Sequence, residues 1–169
     1  MSRGAVLVCI PRTTASGDPL ADVGGLRDTL GMTSLNPYLS FPQNAREAMT
    51  FYQSVLGGSL DVVTFKDFPD MPHEASDDDL VMHAYLHTDD GIQLMAADTP
   101  TGVPYNPPAG VALSLEGTDE EALTRQWNAL ADGGTVSMPL GTAPWGGQFG
   151  MLTDRYGVAW YVTIDANDS

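Results

Sequence analysis

The chain has 169 residues, 43% hydrophobic and 17% charged, which is enough for one compact domain with a real core and unlike a disordered chain. Its formal net charge is −15, with only seven Lys and Arg, so simple repulsion opposes nucleic acid and anionic membrane as partners. The one cysteine, Cys9, excludes an intramolecular disulfide; the longest early apolar run, Ala5 to Ile10, is too short for a signal-peptide core or a membrane span; the expected location is the cytoplasm.

Residues 1–31 are rich in Gly, Ser, Thr and Pro. They are expected to form a loosely ordered N-terminal extension, with a short edge strand over Ala5–Ile10 as the alternative. A single domain is expected over 32–169, built from modules 33–98 and 109–164. In the first module, Leu35 to Phe41 alternates, with Leu35, Pro37, Leu39 and Phe41 on one face and Asn36, Tyr38 and Ser40 on the other. That pattern predicts a half-buried strand whose proline marks its start or an edge. Asn44 and Glu47 resemble a capping box. Ala48, Phe51, Tyr52, Val55 and Leu56 then fall on one helical face, and Gly57–Gly58 stops the helix.

Strands are predicted over Leu60–Lys66, Leu80–Thr88 and Ile92–Ala97. The acidic stretch 67–79 between the first two, with Asp67, Asp70, His73, Glu74 and Asp77–Asp79, lacks EF-hand spacing and reads as a solvated loop. Asp89-Asp90-Gly91 fits a three-residue hairpin loop. That loop places His87 opposite Gln93 and Tyr85 opposite Met95.

After a Pro-rich linker, Thr99 to Pro108, a fifth strand turns Val111, Leu113 and Leu115 inward and Gly110, Ala112 and Ser114 outward. Thr118 with Glu121 forms a second candidate capping box. Leu123, Trp127 and Leu130 supply the helical stripe. Thr135–Leu140, Gln148–Thr153 and Val158–Ile164 close the module, with Val158, Trp160, Val162 and Ile164 on the helix side and Ala159, Tyr161 and Thr163 away from it.

A shift of 76 residues lays the second module on the first: Leu35 meets Val111, Leu39 meets Leu115, Phe51 meets Trp127 and Gly57–Gly58 meets Gly133–Gly134. Repetition at this length predicts two similar βαβββ modules. Each sheet is expected to have one apolar face covered by its own helix, and the polar second faces to line a shared half-barrel.

The duplication, together with Leu35–Phe41, Ala48–Gly58, Met82-His83-Ala84, Trp145-Gly146, Phe149-Gly150 and Thr153–Trp160, resembles the vicinal oxygen chelate superfamily. Within it the wording is most similar to the PhnB-like family, also labelled demethylubiquinone methyltransferase-like. The resemblance covers about residues 33–164. It implies an α+β fold in which duplicated βαβββ modules form a curved mixed sheet around a cavity, as in glyoxalases, and it implies a homodimer. The methyltransferase label finds no strand–Gly-rich loop–helix unit suited to S-adenosylmethionine.

By the same resemblance, the metal-ligand positions fall near Asn36, at Gln93, near Gly110 and at Tyr161. A divalent transition metal needs imidazole, carboxylate or thiolate. None of these positions, nor the rest of the same face of the first, fifth and last strands, offers one. His83 and His87 share a strand face but stand about 13 Å apart by strand rise, too far to chelate one ion. No metal and no cofactor are therefore expected.

Ser40 and Ser114 lack a nucleophile elbow, and the double glycines end helices rather than cradle phosphate. What remains is a candidate small-molecule pocket: Asn36, Tyr38, His83, Tyr85, His87, Gln93, Met95 and Tyr161, closed by Trp145 on a flexible lip or with that ring packed on its own module. The expected function is small-molecule binding. A metal-dependent lyase, isomerase or dioxygenase, and a non-catalytic interaction module with a closed cavity, stand as alternatives. His83 is either a ligand-orienting, proton-moving group or a satisfied structural histidine.

Overall fold

The computed structural model describes residues 34–166. The extension 1–31, its alternative strand Ala5–Ile10 and Cys9 lie outside the described residues. Period-two and period-3.6 patterning yields the elements in the expected order: β1 (Tyr38–Phe41), α1 (Ala45–Leu56), β2 (Ser59–Thr64), β3 (Val81–His87), β4 (Gln93–Asp98), β5 (Leu113–Gly117), α2 (Glu120–Ala131), β6 (Thr135–Thr142), β7 (Gln148–Thr153) and β8 (Ala159–Ile164). The strands form two four-stranded sheets, ordered β1-β4-β3-β2 and β5-β8-β7-β6. Each pairs its first strand parallel to its last, β1 to β4 and β5 to β8. The fold is therefore α+β, with the module repeated strand for strand.

The expected hairpin forms. Gly91 takes a φ of +96°, Thr88 N–H donates to the Ile92 carbonyl, and His87 pairs with Gln93 and Tyr85 with Met95. A positive φ carries little cost without a Cβ, which is why glycine closes this turn. The Leu123, Trp127 and Leu130 stripe of α2 is buried, as are Val158, Trp160, Val162 and Ile164.

Strand starts differ from expectation. Leu35 is 98% exposed and Val111 69% exposed; β1 and β5 begin only at Tyr38 and Leu113. Pro37 lacks an N–H and so marks the first strand's start. Neither expected capping box forms. The first amide of α1, Ala45 N–H, donates to the buried Asp98 carboxylate at 2.7 Å, while Asn44 Oδ1 is buried without a hydrogen-bond partner. On α2 the cap is Asp119, which accepts from Ala122 N–H at 2.9 Å, one residue after the expected Thr118.

The described residues divide into two compact units. The first runs to Ala45 and resumes over Leu60–Tyr105; the second takes Arg46–Ser59 and the chain from Asn106 onward. From Arg46, then, the first module's helix belongs to the unit that holds the second sheet, contrary to the expectation that each helix covers its own sheet. Within that unit the Tyr52 ring lies 5.6 Å from the Trp160 ring, and its hydroxyl donates to Asp154 at 2.7 Å. An amphipathic stripe specifies that a helix face will be covered, not by which sheet.

Candidate functional site

Strand alternation sorts the first sheet into two faces. Leu39 and Phe41 of β1, Leu94 and Ala96 of β4, and Met82, Ala84 and Leu86 of β3 are all buried. The opposite face carries Tyr38 and Ser40; Gln93, Met95 and Ala97; and His83, Tyr85 and His87. Register brings these together, because Met95 is the partner of both Tyr38 and Tyr85. Six of the nine residues expected from sequence thus share one face of one sheet. Ser40 and Ala97, not singled out from sequence, complete it, and simple alternation from Tyr38 and Met95 was signal enough to find them.

Tyr38 Oη and His83 Nδ1 share a hydrogen bond of 3.1 Å, with their rings 5.7 Å apart. Tyr38 is 45% exposed and His83 half-buried. Burial pushes the His83 pKa below its ordinary 6.5, since a partly desolvated site disfavours the charged ring. At neutral pH this ring is a neutral imidazole, donor at one nitrogen and acceptor at the other. Tyr85 is buried and stacks on His87, 5.4 Å between centroids and 23° between planes. His87 Nδ1 is buried with no hydrogen-bond partner. No Lys, Arg, Asp or Glu lies on this face of β1, β3 or β4. Across these three strands its chemistry is uncharged: phenol, imidazole, amide and thioether.

The remaining expected residues lie elsewhere. Asn36 precedes β1, where its Nδ2 donates to Ser34 Oγ at 3.2 Å. Trp145 and Tyr161 belong to the second unit, and Phe149 bridges them edge-on, 5.6 Å from Trp145 and 5.8 Å from Tyr161. Sequence reasoning did not select Phe149, although period two along β7 places it on the outward face with Met151. Trp145 is 70% exposed.

Among the described residues, no group of three His, Cys, Asp or Glu side chains gathers to hold a metal ion, and no helix is long and apolar enough to cross a membrane. The acidic stretch is not merely solvated. Asp77 is buried and accepts from Thr101 N–H at 3.0 Å and Thr101 Oγ1 at 2.5 Å.

A family model described as 3-demethylubiquinone-9 3-methyltransferase matches residues 33–163. Protein YjdN of Escherichia coli strain K12 is 30% identical over 144 residues, covering 77% of this chain and 94% of that protein. Among solved structures, protein PA1353 from Pseudomonas aeruginosa is 41% identical with a TM-score of 0.71, over 79% of this chain and 98% of that one. A Bacillus cereus structure titled putative 3-demethylubiquinone-9 3-methyltransferase, PhnB protein, is 28% identical with a TM-score of 0.59, over 78% and 99%.

The methyl transfer in that description implies S-adenosylmethionine. The described residues do not fit it. The turns from strand to helix are Pro42-Gln43-Asn44 and Thr118-Asp119, neither glycine-rich. The N-terminal amides of both helices already donate to carboxylates, Asp98 and Asp119, which opposes a second carboxylate there.

Proposed function

The chain belongs to the family described as 3-demethylubiquinone-9 3-methyltransferase, and from that premise we propose that it is a small-molecule-binding protein of the PhnB-like type that works without the usual metal-ligand quartet. The observation that carries this reading is the face shared by β1, β3 and β4, which bears no charged side chain and where Tyr38, His83, Tyr85, His87, Gln93 and Met95 sit together in register. Aromatic walls with a few fixed polar groups are the chemistry of a small-molecule site. The orphaned His87 Nδ1 supports it, because a buried polar atom without a partner is costly until something donates to it or accepts from it. His83, steered by Tyr38, orients the ligand. Asn36, just before β1, is a further ligand contact in this reading. A homodimer and a cytoplasmic location belong to the same proposal; the first rests on the family resemblance and the second on a single cysteine.

The test is a thermal-shift screen of metabolites and antibiotics, with and without divalent metals, on untagged protein whose metal content has been analysed. A compound that raises the melting temperature without metal, and loses that effect in His83→Ala, supports the reading. Stoichiometric Zn, Ni, Mn or Fe held by residues of this face would overturn it in favour of a metal-dependent enzyme. Sedimentation as a monomer at high concentration would remove the dimer.

A further inference from the structure

The acidic loop between β2 and β3 contains a histidine in an unusual electrostatic position. His73 Nδ1 lies 2.7 Å from the Met71 carbonyl oxygen, and its Nε2 lies 2.9 Å from Asp78 Oδ1. A carbonyl oxygen and an ionised carboxylate only accept. Both ring nitrogens must therefore donate, and only the imidazolium carries two N–H groups. A neutral ring would set a lone pair against one of the two oxygens. The side chain is only 12% exposed, and its ring packs 5.5 Å from that of Phe65.

We propose that His73 is a proton-operated clip: doubly protonated, it draws residues 71 and 78 together and closes the acidic loop; deprotonated, it releases one of the two and lets the loop open. The closed loop has a second attachment beside the clip. Asp77, next in chain to Asp78, holds Thr101 in the linker between the modules. The proton on His73 thereby controls the anchor of that linker on the first unit.

The charged groups facing the ring favour the proton. Asp78 is in direct contact, and the charge of Asp77 adds to its effect. On the short turn of Phe65, Lys66 is engaged by Asp79, and Asp67 accepts from the Thr64 amide and hydroxyl. Asp70 and Glu74 add negative charge along the loop. The Met71 carbonyl first, and Asp78 second, push the His73 pKa above its ordinary 6.5, against the opposing effect of burial. A folded pKa raised in this way means that the clip is fully closed below about pH 6.5 and is lost as pH rises through the folded value.

The experiment combines two readouts on the full chain. NMR titration of the three histidines gives the His73 pKa, its signal assigned by its loss in His73→Gln. Native-state hydrogen exchange, corrected for intrinsic rates, follows the loop amides of Lys66, Asp77 and Leu80. These donate to Asp78, Glu74 and Asp77 carbonyls. The expected result is a His73 pKa above 6.5, with loop protection falling tenfold between acid and alkaline pH for each unit of that elevation. Asp78→Asn should lower the pKa and shrink the exchange response by the same factor. His73→Gln should abolish the pH response. A wild-type His73 pKa at or below 6.5, loop exchange indifferent to pH, or a full pH response in His73→Gln would each overturn the proposal.

Discussion

The hydroxyl of Tyr52, on the first module's helix, donates to Asp154 Oδ2, in the turn before β8, at 2.7 Å across 102 residues of chain. Asp154 is buried and also accepts from Trp160 Nε1 at 2.8 Å and from the amides of Tyr156 and Val158 at 2.8 and 3.0 Å. Four donors converge on one carboxylate, and one of them comes from a helix that the repeat assigns to the other module.

Tyr52→Phe should therefore destabilise the protein by about 1–3 kcal/mol, the usual cost of leaving a buried partner unsatisfied. Asp154→Ala strands four donors and should cost more than about 4 kcal/mol, in the range where one residue threatens folding. Urea unfolding measures both. A Tyr52→Phe loss below about 0.5 kcal/mol would show that this bond does not hold α1 in place within the second unit.

His83 should behave as a binding residue. Its partner Tyr38 is substantially exposed, so after His83→Ala the phenol turns to water and stability falls by less than about 1 kcal/mol, while ligand affinity weakens. A melt and a binding assay on the same variant decide. Unchanged affinity with a loss of about 1–3 kcal/mol would make it a structural histidine.

The two histidines should give opposite pH dependences. The pKa of His83 is lowered by burial, so its contribution to stability is present above 6.5 and fades as pH falls through its folded value. His73, raised by Met71 and Asp78, contributes below 6.5 and fades as pH rises through its folded value. Urea unfolding at a series of pH values should show stability rising with pH more steeply in His73→Gln than in wild type. A shallower profile in that variant contradicts these signs.

Gly150→Ala should be poorly tolerated. A Cβ there would stand 2.7 Å from the Trp127 ring and 2.9 Å from the Leu140 Cα. The ring would have to leave its place under α2, at a cost of about 1–3 kcal/mol for overpacking. Near-ultraviolet circular dichroism should report the displaced tryptophan, and denaturant melts the loss.

Chelator should leave the melting temperature unchanged. The positions where the superfamily resemblance puts metal ligands hold Asn36, Gln93, Gly110 and Tyr161, a weak donor set for a divalent transition metal. A drop in melting temperature after EDTA treatment, restored by one added metal, would contradict this.

The amino-acid sequence by itself determined the duplicated βαβββ order, the hairpin register that sets His87 against Gln93 and Tyr85 against Met95, the buried stripe of α2 and the sharing of one face by six candidate site residues. These follow from local rules: side-chain period, turn chemistry and a glycine at a positive φ. Only the tertiary structure decided where α1 packs, because an apolar stripe carries no address. It likewise decided that Asp98, 53 residues from Ala45, caps α1 in place of Asn44, because a helix amide takes whichever acceptor the packed chain brings nearest. It left Leu35 and Val111 exposed because a strand begins where a partner strand is present to pair with it, and alternation alone does not supply that partner. It also set His73 between two acceptors. A charge-rich loop reads from sequence as solvated surface, and only its folded path turns one of its carbonyls and one of its carboxylates onto the same ring.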